Sequence, residues 1–156
     1  MTPAIDLVTK HKIVFSVHQY SHDPNAESYG NEAVIALNLE PLRVFKTLVV
    51  ELNRKELVVG IVPVSGSLNL KAIASAANAK KAVMADKTKV QRTTGYVLGG
   101  VSPIGQRKQL TTVIDNSAHD FNTIFVSAGK RGLEIELNAS DLAQLTNASF
   151  AAISKL

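Results

Sequence analysis

The chain has 156 residues, 46% hydrophobic and 19% charged, enough to bury the core of one soluble globular domain spanning residues 1–156. It contains no cysteine, which excludes a disulfide framework, a thiolate metal site and a cysteine nucleophile. The net charge of +4 suits either a polyanionic partner or a solvated basic surface. No apolar run approaches a membrane span, and the first residues carry neither a basic n-region nor an apolar h-region, so a cytoplasmic protein is expected.

Thr2-Pro3 reads as an N-cap followed by proline at the first helical position, with Ile5, Leu7 and Val8 as the apolar stripe of a helix ending near His11. Val14 to Tyr20 suits a strand, broken by Asp23-Pro24-Asn25. A helix from Tyr29 to Leu37 follows. Phe45–Leu52 and Leu57–Val64 are the two strongest strands, joined through Asn53-Arg54-Lys55-Glu56 as a hairpin. Ser65-Gly66-Ser67 is expected to open a helix that buries Leu70, Ile73, Ala74 and Ala77. Ala82-Val83-Met84 reads as a short strand, and Asp86 caps a basic helix reaching Arg92. Thr94 to Gly105 is irregular. Strands are expected at Leu110–Ile114, Thr123–Ser127 and Leu133–Leu137, then a last helix capped by Asn138 or Ser140. Hairpins mixed with helices predict an α/β or α+β domain around a mixed sheet.

Several residues could carry chemistry. Lys46 enters a strand whose two faces both look apolar, so it either snorkels off the strand end or projects into a lined cavity. The Gly99–Arg107 stretch is rich in glycine and could bring backbone N–H groups to a ligand oxygen, or could simply turn a corner. Gly100 and Gly105 match half of a phosphate loop, but Gln106-Arg107 replaces its Lys-Ser or Lys-Thr, so nucleotide hydrolysis is not supported. Gly129-Lys130-Arg131-Gly132 is a tight turn that presents two cations to a phosphate backbone or guards a sheet edge. Ser127 lacks the G-x-S-x-G elbow of a serine hydrolase. His18 and His22 straddle a strand end without an H-E-x-x-H pattern, so locally bonded histidines are expected and no metal site. Glu51, Asp86, Glu134 and Glu136 each have a plain surface or capping explanation. The candidate cations toward a polyanion are Lys80, Lys81, Arg107, Lys130 and Arg131.

Taken in order, Tyr20 through Pro24, Phe45-Lys46-Thr47-Leu48, Lys80 through Asp86, Thr93 through Gly105 and Ser127 through Gly132 resemble the YbaK family nearly end to end. The resemblance implies a mixed, barrel-like sheet flanked by helices, shared with the editing insertion of bacterial prolyl-tRNA synthetases. It implies deacylation of cysteine mischarged on tRNA(Pro), and also Cys-tRNA(Cys), without metal or other cofactor. Aminoacyl-tRNA would be the partner, with prolyl-tRNA synthetase helping to select it. Lys46 would be the central catalytic residue. Tyr20, Tyr29, Thr47 and Ser127 would line the pocket, and Gly99, Gly100, Val101 and Ser102 would form its backbone side. Tyr29 stands where phenylalanine is usual and adds a hydroxyl; Glu134, which would also bind substrate, stands where aspartate is usual and lengthens an acidic arm. The competing readings are a deacylase for another small residue such as alanine, and a non-catalytic module that binds tRNA or a synthetase.

Overall fold

The computed structural model describes residues 1–25 and 29–156, the side chains of residues 29 and 30 excepted. Helix α1 (Pro3–Lys10) starts as its sequence dictates: the Thr2 hydroxyl accepts from the Ile5 amide at 3.2 Å, and proline follows the cap. Strand β1 (Phe15–Gln19) and helix α2 (Tyr29–Leu37) come next, then a 3-10 turn at Pro41–Arg43. The hairpin of β2 (Phe45–Leu52) and β3 (Leu57–Pro63) is the spine of the molecule. After it come β4 (Ser67–Leu68), α3 (Leu70–Ala76), β5 (Ala82–Met84) and α4 (Lys87–Thr94). The last third holds β6 (Thr111–Asp115), β7 (Ile124–Lys130), β8 (Leu133–Leu137), α5 (Ala139–Thr146), β9 (Ser149–Ala151) and β10 (Ser154–Lys155).

The strands form a five-stranded sheet in the order β5-β2-β3-β6-β9, a three-stranded sheet β1-β8-β7 and a two-stranded pair β10-β4. The larger sheet is mixed: β2 is antiparallel to β3 and β5, while β3-β6 and β6-β9 are parallel. Among the described residues the strands form open sheets, and the barrel-like sheet that the resemblance implied does not close. The two main sheets meet where Val44, just before β2, bridges Phe125 of β7.

Strand alternation divides the core in two. Val49, Val59, Ile61 and Ile114 face one side with α1, α5 and the three-stranded sheet. Val50, Val58, Val62 and Val113 face the other with Ile73 and Ala74 of α3 and Ile153 of the C-terminal segment. Every residue of β3 is buried, the pattern of a strand covered on both faces.

One predicted start moves. The helix expected to open at Ser65-Gly66-Ser67 begins at Leu70 instead, capped by Asn69, whose side chain accepts from the Ala72 amide at 3.1 Å. Ser67 and Leu68 are drawn into β4 by pairing with Lys155 and Ser154, a partner far away in sequence. Asp86 caps α4 through the Lys89 amide, and Asn138, not Ser140, caps α5.

Candidate active site

The junction of the two sheets opens into a cavity of about 310 Å³. Val44 to Leu48 form one wall, Leu98, Gly99 and Val101 a second, and Ser127, Lys130 and Arg131 a third, with Tyr20 and Glu134 completing it. The register explains the meeting. Ser127 lies opposite Glu134 across β7-β8, and His18 opposite Glu134 across β1-β8, so these side chains share one face of the small sheet. The Val44–Phe125 bridge then lays the start of β2 against that face.

Lys46 is half-buried in this wall, and its ammonium donates to the Gly66 carbonyl at 2.8 Å. Burial holds its pKa below the ordinary lysine value. The lysine is thus part of the cavity lining, with its ammonium held by a carbonyl that is not. Thr47, next in the strand, also lines the cavity, and among the described residues its buried hydroxyl has no hydrogen-bond partner. The Ser127 hydroxyl accepts from the Gly129 amide at 3.1 Å. Burial, reinforced by the nearby carboxylates Glu134 and then Glu32, pushes the Tyr20 phenol up to about 12, so it is a neutral hydrogen-bonding group at physiological pH.

Glu134 departs from the sequence expectation of a plain surface acid. It is 7% exposed, and burial pushes its carboxyl up to about 8. In Leu133-Glu134-Ile135-Glu136-Leu137 both glutamates share a face. Glu136 reaches the rim, where it accepts from the Thr123 hydroxyl at 2.6 Å and meets His18 Nε2 at 2.9 Å. Glu134 instead is buried in the lining of the cavity that it shares with the start of β2. Alternation alone does not separate them.

The glycine stretch divides as well. Gly99 and Val101 line the cavity, whereas Gly100 and Ser102 do not. The Gly100 amide is spent on the Val97 carbonyl at 2.9 Å, and the residue is glycine because a Cβ would lie 3.2 Å from the Lys130 and Arg131 backbone. The Ser102 hydroxyl accepts from the Ile104 amide within the turn. Among the described residues no hydrogen bond takes the Leu98, Gly99 or Val101 amide, so all three are uncommitted backbone donors beside the cavity. The side chain of Tyr29 lies outside the described residues.

Of the candidate cations, Lys130 and Arg131 stand at the cavity, and Arg131 donates through Nε and Nη2 to the Leu98 carbonyl at 3.2 and 2.8 Å. Arg107 packs on Gly95 at the end of α4 and donates to the Arg92 carbonyl at 3.4 Å. Lys80 and Lys81 lie near the other end of β2, their amides on the Asn53 side chain, roughly 20 Å along the strand from Lys46. His18 and His22 are locally bonded, to Glu136 and Glu32. Sequence reasoning missed Val44, Phe45, Leu48 and Leu98 as cavity walls and Gly66 as the anchor of Lys46. Apolar strand and loop residues carry no signal that marks them as lining rather than core.

The family signature of an aminoacyl-tRNA editing domain matches residues 23–145. The chain is 38% identical to the Enterococcus faecalis protein described as a putative Cys-tRNA(Pro)/Cys-tRNA(Cys) deacylase, EbsC, over 97% of this chain and 92% of that one. It is 33% identical to the uncharacterized Bacillus subtilis protein YwhH over 42% of each chain. Two solved structures share the fold at low identity. Hypothetical protein APE2540 superposes with a TM-score of 0.88 at 20% identity, over 99% of this chain and 100% of that one. A putative trans-editing enzyme for prolyl tRNA synthetase superposes with 0.82 at 19%, over 100% and 99%. With the editing-domain signature over most of its length and a 38% identical relative matched nearly end to end, the chain belongs to the YbaK-type aminoacyl-tRNA editing domain family.

Proposed function

We propose that this editing domain acts in trans in the cytoplasm, releasing cysteine from mischarged tRNA(Pro) and also deacylating Cys-tRNA(Cys). One observation carries the reading. Among the described residues the cavity offers cations, uncommitted amides and hydroxyl groups, but no histidine lines it, and the only carboxyl across from Ser127 is Glu134, which burial keeps protonated near neutrality. Such a site is equipped to hold an ester and to stabilise charge on its carbonyl oxygen, and is poorly equipped to activate a nucleophile of its own. The relationship to EbsC, a protein described as acting on these two tRNAs, points the same way.

The missing nucleophile is supplied by the substrate. Cysteine and proline are close in size, and one methylene in an apolar pocket discriminates by only about 1–3 kcal/mol, so a size sieve separates them poorly. A reaction special to the thiol separates them well. The cysteinyl sulfur attacks its own ester carbonyl, a C–S bond forms, and the ester C–O bond breaks. The thiol proton passes to the departing ribose oxygen, leaving free tRNA and a cyclic thioester that water opens. The Gly99 and Val101 amides are the donors for the carbonyl oxygen, and Lys46, fixed by Gly66, steadies the nucleotide end and the developing charge. Thr47 and Ser127 complete the pocket. Prolyl-tRNA synthetase presents the tRNA, and Lys80, Lys81, Arg107, Lys130 and Arg131 contact its phosphates.

The test is a deacylation assay with Cys-tRNA(Pro), with and without the synthetase. Lys46→Ala is expected to fold and to lose on the order of a hundredfold or more in turnover, as when one oxyanion-stabilising group is removed. Ser-tRNA(Pro), which replaces sulfur by oxygen, is expected to persist. Near-wild-type turnover by folded Lys46→Ala refutes the role of the lysine. Rapid clearance of serine refutes self-attack, and preferred clearance of alanine reassigns the substrate.

A further inference from the structure

Among the described residues two acids are fully buried, Asp115 and Glu134, and only Glu134 lacks a partner; several partly buried acids are paired as well. Glu51 accepts from Lys89 at 2.6 Å, Glu136 from Thr123 at 2.6 Å, and Glu32 meets His22 at 2.8 Å. Asp115 accepts from three backbone amides. Glu134 has no hydrogen bond and no ion pair, although it is 7% exposed and lines the cavity. Lys46 does not compensate it, since its ammonium is held by Gly66 and the two side chains form no salt bridge. Lys130 and Arg131, the other cations of the lining, form no salt bridge to it either. An unpaired buried carboxyl is costly, and its persistence in a ligand cavity calls for a partner that arrives with the ligand.

An aminoacyl ester brings such a partner. Its carbonyl carbon sits one bond from a carbon bearing an amino group, while its nucleotide end carries phosphate. The cavity has the matching polarity, with Lys46, Lys130 and Arg131 as cations and, among the described residues, Glu134 as its one acid. We propose that Glu134 is the receptor for the α-amino group of the substrate, so that the site accepts aminoacyl esters with a free amine and refuses N-acylated ones. The proposal rests on the deacylase reading and deepens it. In the empty cavity burial keeps the carboxyl protonated near neutrality. A free-base amine takes that proton, and an ammonium displaces it to water; either way the bound pair is carboxylate and ammonium. Formyl-aminoacyl and peptidyl esters lack a basic amine and would leave the carboxyl unpaired, which sets nascent chains apart from mischarged monomers.

Two stable amide analogues test this by calorimetry: the cysteinyl amide of 3′-amino-3′-deoxyadenosine, and its 3-mercaptopropionyl counterpart, which lacks only the α-amine. Wild type is expected to bind the amine-bearing analogue about 30-fold or more tightly over the other, the effect of removing one partner of a buried charge pair. In Glu134→Gln that preference is expected to fall toward one, while the desamino analogue binds both proteins alike and so reports an intact cavity. Equal binding of the two analogues by wild type overturns the proposal even if the variant fails to fold. An unchanged preference in Glu134→Gln overturns it too, as does failure of wild type to bind either analogue. Deacylation of Cys-tRNA(Pro) by the same wild-type preparation is read separately. Turnover without amine preference sinks the role of Glu134 alone, and amine preference without turnover sinks the cysteine reading alone.

Discussion

A single carboxyl sets the residue-scale behaviour of the site. Glu134 is pushed up to about 8 by burial, whereas the same group in an unfolded chain titrates near its ordinary 4.5. Between those values the folded state keeps a proton that the unfolded state has lost, so stability is full at acid pH and declines as pH rises toward 8. One proton corresponds to about 1.4 kcal/mol per pH unit, the upper limit of the slope from this residue. The other shifted carboxyls and phenols titrate outside the window: Glu51, Asp115 and Glu136 are lowered from the carboxylate range, and Tyr20 and Tyr96 are raised to about 12. Glu134→Gln, which keeps the shape without the titration, is therefore expected to flatten the fall in unfolding free energy between pH 5 and 8. Denaturant melts at three pH values measure it, and an undiminished fall in the variant would show that Glu134 is not the buried acid responsible.

At the scale of elements, the anchoring of Lys46 depends on a segment that contributes nothing to the cavity. Its acceptor, Gly66, is overlaid by β10, so closely that a Cβ on Gly66 would lie 2.6 Å from the Lys155 carbonyl. Strand β10 is in turn clasped by Asp115, which accepts from the Ile153 amide at 2.9 Å and the Ser154 amide at 3.0 Å, with a third bond from Ser117 at 3.2 Å. Burial alone would raise the pKa of Asp115, but these donors outweigh it and lower it, so its contribution is present above pH 4 and disappears as acid protonates it. Asp115→Ala orphans the amides and is expected to lower stability by about 2–4 kcal/mol at pH 7. It should also weaken deacylation more than a control substitution of equal stability cost, because Gly66 loses its cover. Equal activity loss in the two would show that the clasp does not reach Lys46. Little of this was legible beforehand. The β2-β3 hairpin announces itself through runs of valine, leucine and isoleucine, and Thr2, Asp86 and Asn138 announce helix starts by cap chemistry. Strands of two or three residues such as β4, β9 and β10 hold no period to read, and they exist only because a distant partner pairs with them. For the same reason the burial of Glu134, unlike that of Glu136, could not be read from a strand pattern that treats the two identically.

Across the whole molecule, charge is sorted rather than spread. From Lys87 to Ile114 the sequence carries five cations and no acid, so the modest net charge of +4 hides a strongly basic strip. The fold gives the strip a course. Helix α4 presents Lys87 and Arg92, and the returning segment places exposed Arg107 and Lys108 beside its end, where their amides bond to Thr94 and Thr93. Gly95 to Gly99 then lead into the cavity, a path of four residues and at most about 14 Å. On the proposed function, a nucleotide chain whose terminal ester occupied the cavity would leave along cations within reach of its preceding phosphates. Lys89 is the exception in the strip, because Glu51 holds its ammonium at 2.6 Å. Binding of tRNA should weaken with salt by about 0.7–0.9 in log–log slope for each phosphate contact. Arg92→Ser, Arg107→Ser and Lys108→Ser combined are therefore expected to flatten that slope by about two units while leaving turnover at saturating tRNA intact. Lys89→Ser, whose charge is already engaged, is expected to leave the slope unchanged. A slope indifferent to the triple substitution would move the tRNA path to another face of the protein, and a slope as sensitive to Lys89 as to Arg107 would mean that Glu51 releases its partner when the nucleic acid arrives.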